Sequence, residues 1–246
     1  MEKISEIAIA RSMRLIARAL AAGRLKTFAS GIEHIPSRGP VLVVARHYHH
    51  LFDGLALYAA LPRPMHILVT LDWVKSRWSG RSMQWLTGLA RWPVILREDA
   101  LQARRQDRDG VFTRDDVVRF QHRALRESVQ LLVEGRVLVV FPEGYPNIDP
   151  AYTPKSVPDQ FLPFKAGFAA IAAAAHQRLA DPLPIVPVGL SYHPGRPWIV
   201  NLKFGDPVYW TEFASRDLLI RFVEKEVKSL SGTPAPTDYP GVRSST

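Results

Sequence analysis

Residues Val41–Gly54 read VLVVARHYHHLFDG. Val41, Leu42, Val43 and Val44 make a short apolar, mostly β-branched run of the kind that forms a buried strand. After Asp53 the apolar pattern resumes over Leu55–Leu61, which reads as a short helix. Strand, polar turn and helix are the unit from which α/β layer folds are built. Between the two apolar runs stand His47, His49 and His50, with Asp53 at the start of the helix. An imidazole at a strand end, with a carboxylate a few residues on, is a rigid mounting for a general base.

The alternation continues in both directions. His66–Leu71, Pro93–Leu96, Val137–Phe141, Ile185–Leu190 and Ile199–Phe204 read as strands. Ser82–Ala90, the segment from Thr113 to Gly135, Lys165–Leu179 and Ser215–Leu230 read as helices. The second of these segments opens on Thr113-Arg-Asp-Asp116, which has the form of a capping box. The prediction is therefore an α/β fold, with a largely parallel central sheet flanked by helices. Leu101–Gly110 is dense in charges of both signs and reads as a solvated loop. Tyr145–Pro163 holds five prolines and is long for a loop inside a compact domain, which makes it a candidate lid or substrate loop.

At 246 residues, 47% of them hydrophobic, the chain can bury the core of one large domain. It has no cysteine, which excludes disulfides, thiolate metal ligands and a cysteine nucleophile. The formal net charge of +9 favours anionic partners. No nucleic-acid-binding motif accompanies that charge, so nucleic acid is not the expected partner. No uncharged run approaches the roughly 18–20 apolar residues of a membrane span. Glu2, Glu6, Arg11, Arg14 and Arg18 interrupt the N-terminus, which does not read as a signal peptide.

Residues 3–22 read as one helix, with Ile9, Met13, Ile16 and Leu20 on one narrow face and Arg11, Arg14 and Arg18 opposite. A basic amphipathic helix of this kind suits an anchor on an anionic membrane surface. The expected organisation is an amphipathic, membrane-associating helix and linker over 1–28, an α/β domain over 29–231, and a disordered tail over 232–246.

Two chemistries fit the histidine cluster. In the first, Asp53 accepts a hydrogen bond from one ring nitrogen of His47, and the other nitrogen removes a proton from a hydroxyl; such a base contributes on the order of 10²–10⁴ in rate. In the second, His47, His49 and Asp53 hold a metal. The His-x-His spacing is similar to the zinc stretch of the metallo-β-lactamase-type hydrolases. That pattern wants an aspartate two residues after the second histidine and another histidine directly behind it, whereas position 51 is leucine and Asp53 is followed by Gly54. A second constellation is Phe141-Pro142-Glu143-Gly144, where Pro and Gly turn one carboxylate away from a strand end. Open α/β sheets bind ligands at the carboxyl ends of their strands.

Taken together, VVARHYHHLFD (43–53), PVILRED (93–99), VLVVFPEG (137–144) and IVPVG (185–189) resemble, in order and spacing, the sequence blocks of the glycerolipid acyltransferase family. The lysophosphatidate acyltransferases are its best-known members. Phe164-Lys165-Ala166-Gly167 and Phe204-Gly205-Asp206-Pro207 look like the family's later stretches, and the resemblance covers about Gly31–Val208. It implies transfer of a fatty acyl group from a thioester, acyl-CoA or acyl carrier protein, to the hydroxyl of a lysophospholipid. The acceptor it implies first is 1-acylglycerol-3-phosphate, giving phosphatidate, at the cytoplasmic face of a membrane to which the protein binds peripherally.

By the same resemblance His47 is the base and Asp53 its orienter, with His49 or His50 as alternative bases. Arg97 binds the acceptor's phosphate, Glu143 helps to hold the acceptor, and Gly144 lets the backbone approach it. For the phosphate contact that the family's Thr-Arg would supply, the candidates are Arg97, Lys155 and Lys165, the alternative being an acceptor that is not a phosphate ester. No cofactor or metal is implied.

Three departures stand out. Arg46 replaces the family's asparagine, Asp53 lies one residue further from His47 than usual, and Tyr145-Pro146 replace Thr-Arg after Gly144. The rival readings are a metal-dependent hydrolase built on the His47, His49 and Asp53 cluster, and a non-catalytic protein that binds anionic lipid.

Overall fold

The computed structural model describes residues 12, 14–17, 19–74, 76–99, 112–149, 152–157 and 159–232. Its strands are β1 (Leu25–Ser30), β2 (Val41–Ala45), β3 (Met65–Ile67), β4 (Val69–Thr70), β5 (Val94–Ile95), β6 (Val137–Val140), β7 (Pro184–His193), β8 (Trp198–Phe204) and β9 (Val208–Tyr209). Its α-helices from residue 52 onward are α1 (Phe52–Ala60), α2 (Arg77–Leu89), α3 (Arg114–Val133), α4 (Gly167–His176) and α5 (Arg216–Leu230).

Every residue of β2 and β6 is buried, as continuous Val/Leu runs require of strands covered on both faces. Successive strand residues point to opposite faces, and β2 divides accordingly. Val41, Val43 and Ala45 pack with α1 and with Ala17 from the N-terminal segment. Leu42 and Val44 pack with α3, α4 and α5. Each such fully buried aliphatic side chain contributes about 1.5–3 kcal/mol of transfer free energy.

The main sheet has the order β1-β8-β7-β2-β6-β3, with β9 also paired to β7. β2 lies parallel to β6 and β7, β3 parallel to β6, and β1 parallel to β8. The β7–β8 hairpin and the short β7–β9 pair are antiparallel. The expected largely parallel, helix-flanked sheet is therefore what forms. A Cβ at Gly189 would lie 2.3 Å from the backbone of Leu230, so the glycine of the IVPVG block lets the end of α5 press on β7.

Several boundaries differ from the sequence reading. His66–Leu71 is not one strand: β3 joins the main sheet, whereas β4 pairs with β5 in a separate two-stranded sheet. The break lets Leu71 and Val74 form a small third core with Leu96 and Val117. α2 begins earlier than Ser82, because Ser76 caps it by accepting from the Ser79 amide at 3.2 Å. α4 is shorter than Lys165–Leu179, since Lys165 is held in the preceding loop by its amide bond to the Pro142 carbonyl, 2.9 Å. The capping box of Thr113 and Asp116 is present as expected.

The sheet begins at Leu25, inside the segment expected to be linker. Residues 14–17 and 19–21 are helical. Ala17 and Ala21 are buried, while Ile16 and Leu20 are 54% and 41% exposed. Ile9, Arg11, Met13 and Arg18, the charged loop Leu101–Gly110 and most of the expected tail (233–246) lie outside the described residues. Among the described residues no helix is long and apolar enough to cross a membrane.

Candidate active site

β2 delivers the chain to the carboxyl edge of the sheet at Ala45, and the next eight residues fold around one carboxylate. Asp53 sits in the first turn of α1, 1% exposed. Its Oδ2 accepts from His47 Nδ1 at 2.8 Å, from the Tyr48 amide at 2.7 Å and from the His49 amide at 3.1 Å. Its Oδ1 accepts from the His49 amide and from the hydroxyl of Tyr192 at the end of β7. Two backbone donors, a phenol and an imidazole thus converge on one group. The extra residue between His47 and Asp53 does not separate the pair, because the carboxylate gathers the amides of the turn that the extra residue lengthens.

The His47 ring stacks on Phe141, with centroids 4.5 Å apart. With Nδ1 bound to Asp53, the proton on that nitrogen is set and Nε2 becomes the acceptor. Nε2 makes no hydrogen bond among the described residues, and the side chain is 17% exposed. Burial, with the Asp53 charge adding to it, raises the Tyr192 phenol well above its usual range, so Tyr192 stays a hydrogen-bond donor.

His49 and His50 follow different paths. His49 Nδ1 accepts from the amides of Leu51 and Phe52 at 3.2 and 3.3 Å, satisfying donors at the start of α1. Its ring lies against Phe52, His50 and Trp198. Burial, helped by the neighbouring histidines, lowers its pKa to about 4. His50 is exposed, with Nδ1 3.3 Å from the Ile148 carbonyl. Neither ring meets Asp53 side chain to side chain among the described contacts. Nor does any trio of His, Asp or Glu among the described residues form a set able to hold a metal; both oxygens of Asp53 are taken by His47, Tyr192 and backbone amides.

Glu143, at the turn after β6, is 0% exposed. Oε1 accepts from the His47 amide at 2.9 Å; Oε2 accepts from the Leu162 amide at 3.0 Å and pairs with Lys155 Nζ at 2.6 Å. The same ammonium reaches the His47 carbonyl at 2.9 Å and Asn147 Oδ1 at 3.0 Å. Burial pulls the Lys155 pKa down and Glu143 opposes it. In this arrangement both oxygens of Glu143 grip protein groups.

Gly144 adopts φ 76°, a left-handed conformation that glycine takes without strain. Its carbonyl accepts from the Arg97 guanidinium. Arg97 is 8% exposed and forms a bidentate pair with Asp72, Nε to Oδ2 and Nη2 to Oδ1, both 2.7 Å. It also lies 3.8 Å from the Tyr145 ring centroid. Burial works against its charge, but Asp72, with Tyr145 and Asp149 adding to it, raises the pKa. Lys165 is the more accessible cation here: its side chain, 52% exposed, crosses above Gly144, and its Nζ stands 3.3 Å from Asp99.

The proline-rich loop after Tyr145 is pinned. Ile148 bridges to the histidine turn through the Tyr48 carbonyl and the His50 amide, at 2.8 and 3.1 Å. Arg46, 3% exposed, donates to the Leu190 carbonyl and Asp159 and lies 4.4 Å from the Phe161 ring centroid. The arginine that departs from the family's asparagine is thus a strut between β7 and this loop. Sequence reading missed Tyr192, Asp72 and this use of Arg46, because none carries a local signal: their partners lie 139, 25 and 113 residues away. The sequence reading that comes nearest is the β7 strand, whose continuation past Leu190 carries Tyr192.

Residues 26–191 match the family model described as Acyltransferase. No curated protein matches the sequence significantly. The fold is similar to the crystal structure of the 1-acyl-sn-glycerophosphate acyltransferase PlsC from Thermotoga maritima. The TM-score is 0.61 at 20% identity, covering 93% of this chain and 81% of that one.

Proposed function

On the premise that this chain belongs to the acyltransferase family, we propose that it moves a fatty acyl group from an acyl thioester to the hydroxyl of 1-acylglycerol-3-phosphate, giving phosphatidate. The observation that carries the reading is the His47–Asp53 pair: a buried carboxylate holds Nδ1 and leaves Nε2 unbonded at the carboxyl edge of the sheet. Nε2 takes the proton of the acceptor hydroxyl as its oxygen attacks the thioester carbonyl carbon. The tetrahedral oxyanion collapses, the carbon–sulfur bond breaks, and the imidazolium returns its proton to the leaving thiolate. Asp53 stabilises the transient imidazolium. No acyl-enzyme is required, in keeping with a chain that has no cysteine.

Lys165 and the two Arg97 N–H groups not engaged by Asp72 or Gly144 are the donors assigned to the acceptor's phosphate. Gly144 admits the acceptor close to the backbone, and Glu143 acts by holding His47 and Leu162. The donor is acyl-CoA or an acyl carrier protein, both soluble thioester carriers, which places the reaction at the cytoplasmic face of a membrane. The exposed Ile16 and Leu20 support peripheral attachment through the N-terminal helix.

The test is a panel assay in liposomes, pairing one acyl thioester with lysophosphatidate and with phosphate-free lysolipids. Release of thiol with lysophosphatidate, abolished by His47→Ala and unaffected by EDTA, is the expected result. Loss of activity in chelator would favour the metal-dependent hydrolase instead, and no thiol release with any acceptor would leave a lipid-binding protein.

A further inference from the structure

α2 wears its apolar residues outward. At 100° per residue Trp78, Trp85 and Leu89 fall within one narrow stripe, with Leu86 beside them. These side chains are 79%, 68%, 49% and 47% exposed. The opposite side, Gly80 and Thr87, is buried, and Met83 packs on the small core of Leu71, Val74 and Leu96. A helix that packs through its small residues and presents two indoles to solvent inverts the ordinary pattern of a globular surface.

Charge accompanies the stripe. Between Asp72 and Glu98 the sequence holds Lys75, Arg77, Arg81, Arg91 and Arg97 and no acidic residue, together with four of the chain's six tryptophans. Arg81 lies on the flank next to the stripe. Beyond it a groove of about 510 Å³ between α2 and α3 is lined by Arg91, Arg123, Arg126 and Arg178 against a single acid, Glu127. Indoles prefer the headgroup level of a bilayer, and cations beside them meet anionic headgroups. Ahead of α2 a further indole, Trp73, is 42% exposed and follows Asp72, the partner of Arg97.

We infer that α2 is a membrane-docking element, laying Trp78, Trp85 and Leu89 into the interface of an anionic phospholipid bilayer with its arginine flank against the headgroups. The purpose rests on the reading that the acceptor is a bilayer lipid; the binding itself does not. The N-terminal helix and α2 then form two separate attachments, which fix the orientation of the site as well as its distance from the membrane.

The experiment is flotation of the full chain with phosphatidylcholine vesicles, with and without phosphatidylglycerol, read beside tryptophan fluorescence. Wild type should bind the anionic vesicles with a blue-shifted emission. Trp78→Ser/Trp85→Ser should lose about tenfold or more in partition while keeping the wild-type circular dichroism and melting temperature. Arg81→Glu should weaken binding to anionic vesicles alone. His47→Ala should bind as wild type does, which separates docking from catalysis. The double variant should retain full activity on a water-soluble short-chain acceptor. Unchanged vesicle binding by the double variant, or wild type that binds no vesicle, would overturn the inference. So would self-association of wild type that the double variant abolishes, which would assign the stripe to a second copy of the chain.

Discussion

The turn after β2 and the turn after β6 are both built round a buried carboxylate, and they differ in what is left over. Asp53 collects the ring of His47, two amides and Tyr192, yet the far nitrogen of that ring stays unbonded among the described residues. Glu143 collects two amides and Lys155, so that both of its oxygens are engaged by the protein. One turn therefore leaves the nitrogen that the proposed reaction needs, and the other holds the first turn in place through the His47 amide. Two buried acids in one site need not do the same work; what decides is the chemistry of the group at the end of each chain of bonds.

The comparison breaks most visibly at His47. His47→Ala should lower acyl transfer by roughly 10²–10⁴ while leaving the melting temperature near that of wild type, and Asp53→Asn should lower the rate severely by releasing the ring. Retained activity in His47→Ala would hand the base to His49 or His50. Glu143→Gln should show the opposite balance: it strands a buried ammonium and should cost about 3–5 kcal/mol in urea denaturation. Lys155→Met in that background should restore much of the loss. Full stability with lost activity would return Glu143 to substrate contact.

Lys165→Ala sharpens the picture on the acceptor side. KM for lysophosphatidate should rise about tenfold, equivalent to one charge-assisted hydrogen bond of about 1.4 kcal/mol, with little change for a phosphate-free acceptor. The smallest effect concerns His49, whose pKa near 4 lies below its unfolded value of 6.5. The unfolded chain binds the extra proton between those values, so this contribution to stability is fully present above pH 6.5 and is lost as pH falls toward 4. His49→Asn keeps an acceptor for the Leu51 and Phe52 amides and should flatten that part of the melting-temperature profile. An unchanged slope would place the acid sensitivity elsewhere.

Much of this was legible from residues alone. The runs Val41–Val44 and Val137–Val140 announce central parallel strands, because only strands covered on both faces are so continuously apolar. Thr113 and Asp116 announce their helix because a capping box is local. His47 and Asp53 were legible as a pair because they lie on consecutive elements of one strand–turn–helix unit. Tyr192 and Arg46 were not, since a tyrosine and an arginine in sequence say nothing of partners that lie across the sheet. The helix of α2 could be read in part, but its outward stripe could not: periodicity shows that apolar residues share a face and is silent on which face the rest of the chain will cover.

By itself, then, the sequence determined the layers, the order of the motifs and the family, because those follow from short-range pattern and from blocks whose spacing survives as text. Only the tertiary structure decided which nitrogen is left unbonded, which carboxylate is consumed in holding the site, and which tryptophans remain uncovered. Each of those depends on hydrogen bonds and packing between segments that chain distance keeps apart and only the closed sheet brings together.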